Sequence, residues 1–220
     1  MRTTIRLGTR PSLLALRQAE EMQALLPEFH FATVPIETRG DKDKTTPLSL
    51  REKSDFFTFE IEEALRRGEI DAAVHSAKDM EDEVPEDVPV VAVTYSISPF
   101  DSLVSRDGRR LEELAAGSRV GTSSRNRRDA IRRYRGDLVA KEIRGNVDQR
   151  LAQLDRGDFE AIIVAHAALL RLGLKERAAQ IIPSSIIQPH PLQGRLAVQI
   201  HKERKELAAA FRRIDASESR

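Results

Sequence analysis

Cysteine is missing from all 220 residues, and so is tryptophan. Without a thiol the chain forms no disulfide, offers no thiolate to a metal and has no cysteine nucleophile. No cofactor can be tied to it through a thioether either. Aromatic residues make up only 5%, too few for the stacking platforms that hold single-stranded nucleic acid, and no nucleic-acid partner is expected. No apolar run approaches the roughly 18–20 residues of a membrane span. The stretch Leu13-Leu14-Ala15-Leu16 is bracketed too tightly by Arg10 and Arg17 for a signal peptide. The sequence therefore predicts a cytoplasmic protein with no membrane partner. The five histidines lack close ligand spacing, so no metal is expected. A large net charge is also missing: 36 Lys and Arg face 35 Asp and Glu, and with 40% hydrophobic residues this excludes the disordered class.

What is present is arginine. Of the 36 basic residues, 28 are Arg and 8 are Lys. The planar guanidinium fork pairs bidentately with carboxylates and phosphates, so the excess is a weak pointer to acidic ligands. Between Arg119 and Arg150 ten basic residues face four acidic ones. Base composition and an arginine-rich, solvated helix face are the plainer reading of this excess.

Apolar alternation and helical periodicity take turns along the chain. Strands are expected at Thr4–Gly8, Phe31–Thr38, Ile70–His75, Val88–Thr94, Arg119–Gly121, Leu138–Ile143, Ala161–Ala165 and Leu196–His201. Helices are expected from Ser12, as cap, to Leu26, and at Phe56–Arg67, Leu111–Ala115, from Ser123 and Ser124 to Tyr134, and at Val147–Arg156, Ala167–Arg171, Lys175–Ala179 and Lys202–Ile214. Thr38-Arg39-Gly40-Asp41 reads as a polar turn, and Asp41 to Asp55 as a loop. The alternation predicts an α/β architecture with mainly parallel sheets. Thr94–Phe100 and Ile187–Pro191 read as two crossings, giving one lobe of 1–95 plus 190–220 and a second of 96–189.

Three clusters sit at strand ends, where α/β sheets bind ligands. Gly8-Thr9-Arg10-Pro11-Ser12 leads into a helix, whose first N–H groups favour anions; on spacing alone it reads first as an ordinary N-cap. His75-Ser76-Ala77-Lys78-Asp79 follows a buried strand, and Asp79 suits acid–base work or cation stabilisation, or simply caps the next turn. His75 itself reads as a hydrogen-bonded core residue. Gly121-Thr122-Ser123-Ser124, with Arg127 and Arg128, makes a carboxylate or phosphate cradle, extended by Arg144-Gly145-Asn146, Arg150 and Arg171.

In this order the clusters resemble the porphobilinogen deaminase (hydroxymethylbilane synthase) family. The matching segments are Thr9–Leu16, Thr38–Asp41, Asp71–Asp79, Gly121–Ser124, Ile143–Val147, Asp158–Ala165 and Leu170–Leu174, so the likeness spans essentially the whole chain. It implies two periplasmic-binding-protein-like (type II) lobes with a central cleft, and a monomer. The implied activity is a transferase of tetrapyrrole (haem) biosynthesis that polymerises porphobilinogen to hydroxymethylbilane with release of ammonia. Carried over by motif, Asp79 is the catalytic carboxylate. Ser76, Lys78, Thr122, Ser123, Ser124, Arg127, Arg144 and Gly145 are expected to hold the dipyrromethane cofactor, and Arg10, Ser12, Arg150, Arg171 and Gln193 the substrate.

The chain departs from the family pattern at the loop Glu52–Phe57, at Met80-Glu81, at Asn126-Arg127 and at Pro191–Arg195. The family anchors its cofactor by a thioether to a cysteine of a third domain. This chain stops near Arg220, where that domain would begin, which implies a truncated form and a non-covalently held primer. A cleft protein that binds a pyrrole or other acidic small molecule without turnover is the alternative, and a partner chain supplying the third domain is a further one.

Overall fold

The structure is a computed structural model that describes residues 4–42, 56–80 and 83–217. Most of the loop expected from Asp41 to Asp55, and Glu81, lie outside the described residues. In chain order the elements are β1 (Thr4–Thr9), α1 (Leu13–Leu25), β2 (His30–Pro35), α2 (Arg39–Lys42), α3 (Phe59–Arg66), β3 (Ala72–Ser76) and β4 (Val90–Val93). There follow β5 (Asp101–Ser105), β6 (Arg119–Gly121), α4 (Arg125–Tyr134), β7 (Val139–Lys141), α5 (Val147–Asp155), β8 (Ala161–Ala165), α6 (His166–Arg171) and β9 (Gln180–Ile182), then β10 (Leu196–Gln199) and α7 (Lys205–Arg212). Single 3-10 turns occupy Ala77–Asp79, Leu111–Glu113 and Lys175–Arg177.

Two compact units result. The first comprises the described residues of 4–42, 56–97 and 195–217, and the second comprises 98–194. Each is built on one five-stranded sheet, ordered β2-β1-β3-β10-β4 in the first unit and β7-β6-β8-β5-β9 in the second. In both, the three leading strands are parallel, and a fourth runs antiparallel to its neighbours on either side. The expectation of mainly parallel sheets is thus corrected to mixed sheets. A short apolar run signals a strand buried on both faces, but not the direction in which it lies.

Two strands, β5 and β9, were not anticipated. β5 reads Asp-Ser-Leu-Val-Ser, polar at three of five places, yet every residue of it is buried. Its polar groups are met inside the unit: Asp101 by Arg127, Ser102 by His166 Nδ1 at 2.8 Å, and Ser105 by the Arg109 carbonyl, to which it donates at 2.6 Å. Hydropathy alone misses a strand whose polarity is satisfied by distant residues. The expected turn at Thr38–Asp41 carries the short helix α2.

Each sheet is covered on both faces. In the first unit Ile5, Leu7, Val74 and Val198 pack against Ala19 and Met22 of α1 and Phe211 of α7, while Ala73 meets Ile61, Ala64 and Leu65 of α3 on the other side. In the second, Leu103, Val120 and Ile163 pack on Ile131 of α4, and Val104, Ile162 and Val164 on Leu151 and Leu154 of α5 and Leu169 of α6. Helix–sheet–helix layering is how an α/β unit removes both apolar faces from water. Among the described residues no helix is long and apolar enough to cross a membrane.

The last helix is part of the first unit's core. Phe211 is fully buried and stands edge-on to Phe31, with ring centroids 6.2 Å apart. Phe211→Ala is expected to lower the free energy of unfolding by about 3–5 kcal/mol in chemical denaturation. A loss under about 1 kcal/mol would mean that α7 does not close this core.

Candidate functional site

In the first unit the site is set by the sheet. β1 and β3 are adjacent and parallel, with Leu7 opposite Ala72 and Gly8 opposite Ala73, so both strands end at the same edge. The chain leaves β1 as Arg10-Pro11-Ser12 and leaves β3 as Ala77-Lys78-Asp79. Gly8 permits this register, because a Cβ there would lie 2.3 Å from Ile70 Cδ1. Ser12 caps α1 by accepting from the Ala15 N–H at 3.2 Å, as its position before the apolar run predicted. Ser76 Oγ accepts from the Gln18 amide at 2.8 Å, which ties the end of β3 to α1.

A small pocket of about 70 Å³ opens at this edge, lined among others by Arg10, Ser12, Phe57, Thr58, His75, Ser76 and Asp79. On the same measure one water needs about 10–15 Å³, so the pocket has room for a ligand's functional group rather than for a whole ligand. Asp79 is exposed and Lys78, beside it on the 3-10 turn, is half-buried. A guanidinium, hydroxyls, an aromatic ring and a carboxylate therefore share one small concavity.

His75 forms the pocket's floor and is buried. Burial pushes its imidazole down; the Gln199 side chain on β10 pulls the other way, and the Arg10 cation adds to the lowering, leaving a pKa of about 4. The expected hydrogen-bonded core histidine is only half realised. Among the described residues neither His75 Nε2 nor Gln199 Oε1 reaches a partner in hydrogen-bond geometry. Gln199 is fastened instead through its amide nitrogen, which donates to Glu62 at 3.1 Å and to the Val88 carbonyl at 2.9 Å.

In the second unit the candidates follow β6, β7 and β8, again at the carboxyl ends of adjacent parallel strands. Ser124 caps α4, accepting from the Arg127 N–H at 3.4 Å. Ser123 donates to the Ile143 carbonyl, and Thr122, fully buried, accepts from the Ser124 N–H at 3.3 Å. Arg150 Nε donates to the Gly145 carbonyl at 2.8 Å. Gly145 itself sits at φ +98°, and a Cβ would lie 2.7 Å from Gln149 Oε1. Arg171 donates to the Gly194 carbonyl at 2.9 Å.

Two expected ligand-binding residues have internal tasks. Arg127 makes a bidentate pair with Asp101, at 2.9 and 2.6 Å, with its side chain 11% exposed and that of Asp101 3%. Gln193, buried, donates to Asp101 at 2.7 Å and to the Pro99 carbonyl at 2.8 Å, and accepts from Arg127 at 3.2 Å. Their donors hold β5 and residues 191–194 together. Nothing in the sequence pattern marked Asp101, since its partner lies 26 positions away. His75, Phe57 and Thr58 were also missed as pocket lining, although Asp71–Asp79 as a segment was not.

Residues 5–209 match a family model described as the porphobilinogen deaminase dipyrromethane cofactor binding domain. The chain is 41% identical over 207 residues to a porphobilinogen deaminase of Deinococcus radiodurans, covering 91% of this chain and 67% of that protein. It is 39% identical over 224 residues to one of Pelotomaculum thermopropionicum, covering 100% and 72%. For one of Rubrobacter xylanophilus the figures are 44% over 198 residues, 89% and 65%. The chain thus spans roughly two thirds to three quarters of the length of these relatives. Among solved structures it is similar to an ancestral cationic amino acid solute binding protein, with a TM-score of 0.53 and 17% identity over 96% of this chain and 88% of that one. A probable amino-acid ABC transporter extracellular-binding protein of Bacillus subtilis gives a TM-score of 0.52 and 14% identity over 97% and 90%. These likenesses show the fold: α/β, of the periplasmic-binding-protein type II class.

Two measurements test the site's electrostatics. The folded pKa of His75 lies near 4, below the ordinary 6.5, so the unfolded chain takes up the proton first as pH falls. Stability from this group is full above pH 6.5, falls by about 3 kcal/mol between 6.5 and 4, and levels off below. Chemical denaturation at several pH values should show this component in the wild type and not in His75→Gln; equal losses in both would refute it. Asp101→Asn leaves Arg127 buried without its carboxylate and should cost about 3–5 kcal/mol in the same assay. A loss below about 1 kcal/mol would return Arg127 to the list of ligand-binding groups.

Proposed function

The chain belongs to the porphobilinogen deaminase family, and from that premise we propose that it is a transferase of the hydroxymethylbilane synthase type, joining porphobilinogen units with release of ammonia. The observation that carries this reading is the juxtaposition of Asp79 and Arg10 in one pocket at the carboxyl ends of β1 and β3. A pyrrole bearing acidic side chains presents the complement: an N–H for a carboxylate and carboxylates for a guanidinium.

Asp79 accepts a hydrogen bond from the pyrrole N–H of the substrate. As the aminomethyl C–N bond breaks and ammonia leaves, positive charge spreads into that ring, and the Asp79 carboxylate stabilises it. The free α-carbon of the acceptor pyrrole then forms the new C–C bond and gives up its proton, for which Asp79 is a carboxylate in the pocket lining. Arg10, with the hydroxyls of Ser12 and Thr58, holds a substrate carboxylate. His75 is neutral at pH 7, so the pocket's floor adds no charge to compete with this arrangement.

The donor set also fits a dipyrromethane, whose acidic side chains call for the same groups. When bound, that group supplies the free α-carbon at which the chain of pyrroles begins. Arg10 and Ser12, which line the first unit's pocket, would hold its acidic side chains. These 220 residues contain no cysteine, so what they themselves offer that group is ion pairs and hydrogen bonds. The reading implies a cytoplasmic monomer acting on a free small molecule.

The purified protein should consume porphobilinogen and yield hydroxymethylbilane, detected as uroporphyrin after cyclisation and oxidation. Asp79→Asn preserves shape but removes charge and should lower kcat by about 10²-fold or more. Native mass spectrometry should find a pyrrole mass that is lost on denaturation. Binding of porphobilinogen without product, with a dipyrromethane added, would overturn the transferase reading in favour of a non-catalytic acid-binding protein.

A further inference from the structure

Arg10 is gripped on several sides before any ligand arrives. Its Nε donates to Asp41 Oδ1 at 3.1 Å and Oδ2 at 3.3 Å, and its Nη2 to Oδ1 at 2.5 Å. The Phe57 ring lies against the guanidinium, with its centroid 4.2 Å from Cζ. Asp41 is in turn fixed by Thr38: its Oδ2 accepts from the Thr38 N–H at 3.1 Å and from the Thr38 hydroxyl at 2.8 Å. Gly40 permits this packing, since a Cβ there would lie 2.1 Å from Phe57 Cε1, and its N–H donates to the Phe56 carbonyl at 3.0 Å. Residues 38–42 and 56–58 thus brace one guanidinium.

A carboxylate on a ligand-binding arginine acts in one of two ways: it competes with the ligand, or it supports the arginine from behind. The pocket distinguishes them. Arg10, Phe57 and Thr58 line it, and Asp41 does not. Asp41 grips only the Nε and Nη2 side of the fork, and its side chain is 8% exposed against 23% for Arg10. Burial pushes the Asp41 carboxyl up, but the Arg10 and Thr38 donors outweigh it and hold the group below the usual carboxylate range. Its charge is therefore present throughout the neutral range.

We propose that Asp41 is a positioning residue, which with Thr38 and Phe57 fixes the Arg10 fork so that its other side is presented to the pocket for a carboxylate of the pyrrole substrate. The inference rests on the functional reading above for the identity of the ligand. A flexible arginine loses rotamer freedom when it binds, and one already braced loses less. Asp41 thereby raises affinity without touching the substrate, and its removal should act on KM more than on kcat.

The test combines steady-state kinetics with porphobilinogen and an NMR readout. Asp41→Asn should raise KM about three- to tenfold and change kcat less than about twofold, and Asp41→Glu should restore part of the loss. In the Arg10→Lys background, where no fork is left to orient, Asp41→Asn should change KM less than about twofold. In ¹⁵N-labelled protein the Arg10 Nε–H should be protected from exchange in the wild type and not in Asp41→Asn, a readout that holds whether or not the protein turns over. If Asp41→Asn does not fold, Thr38→Val, which removes one support of Asp41, should give a smaller KM increase of about twofold. An unchanged or lowered KM in Asp41→Asn, or in Thr38→Val where that variant carries the test, would overturn the proposal. A wild type without turnover but with a protected Arg10 Nε–H would sink the assigned ligand and leave the brace intact.

Discussion

A guanidinium withdrawn from water must be met by a carboxylate, because an unpaired buried charge costs several kcal/mol. Both units place a largely covered arginine where a parallel strand gives way to a helix, its side chain 23% exposed for Arg10 and 11% for Arg127. In the second unit Arg127 is committed to Asp101, Gln193 and the Ile163 carbonyl. In the first, Arg10 is met by Asp41 on one side only and still lines the pocket. The same pairing thus serves cohesion in one place and presentation of charge in the other. What decides between them is geometry: Asp101 lies within a fully buried strand, whereas Asp41 lies on a short helix at the rim of the sheet.

The sheets supply the frame for this. Parallel neighbours end at a common edge, so residues some 65 positions apart, such as Ser12 and Ala77, are delivered to one place without any contact having to be designed between them. The antiparallel fourth strand joins the parallel trio to the edge strand of each sheet, β4 in the first unit and β9 in the second. In the first unit that strand also brings the Gln199 side chain to the buried His75, which stays polar and uncharged at neutral pH.

Much of this was legible in the residues. The Ser12 cap, the helix start at Ser123–Ser124 and the strands Arg119–Gly121 and Ala161–Ala165 lie where the sequence pattern puts them, because caps and apolar runs are local signals. Asp79 and Arg10 stood out as strand-end residues, and the structure brings them to one pocket. What could not be read depends on distant partners. Asp-Ser-Leu-Val-Ser looks like a loop until Arg127 and His166 are placed beside it. Arg127 looks like a surface ligand until Asp101 is found, and Thr38–Asp41 looks like a bare turn until Phe56 and Phe57 close over it.

β10 occupies the slot between β3 and β4, and the chain reaches it only about a hundred residues after β4. On a ribosome the first unit therefore waits, with two strand edges unpaired, while all of the second unit is synthesised. Such edges invite pairing with other nascent chains. The amino-terminal half of this protein is thus the last part to mature, and the cell's folding machinery has most reason to guard it during translation.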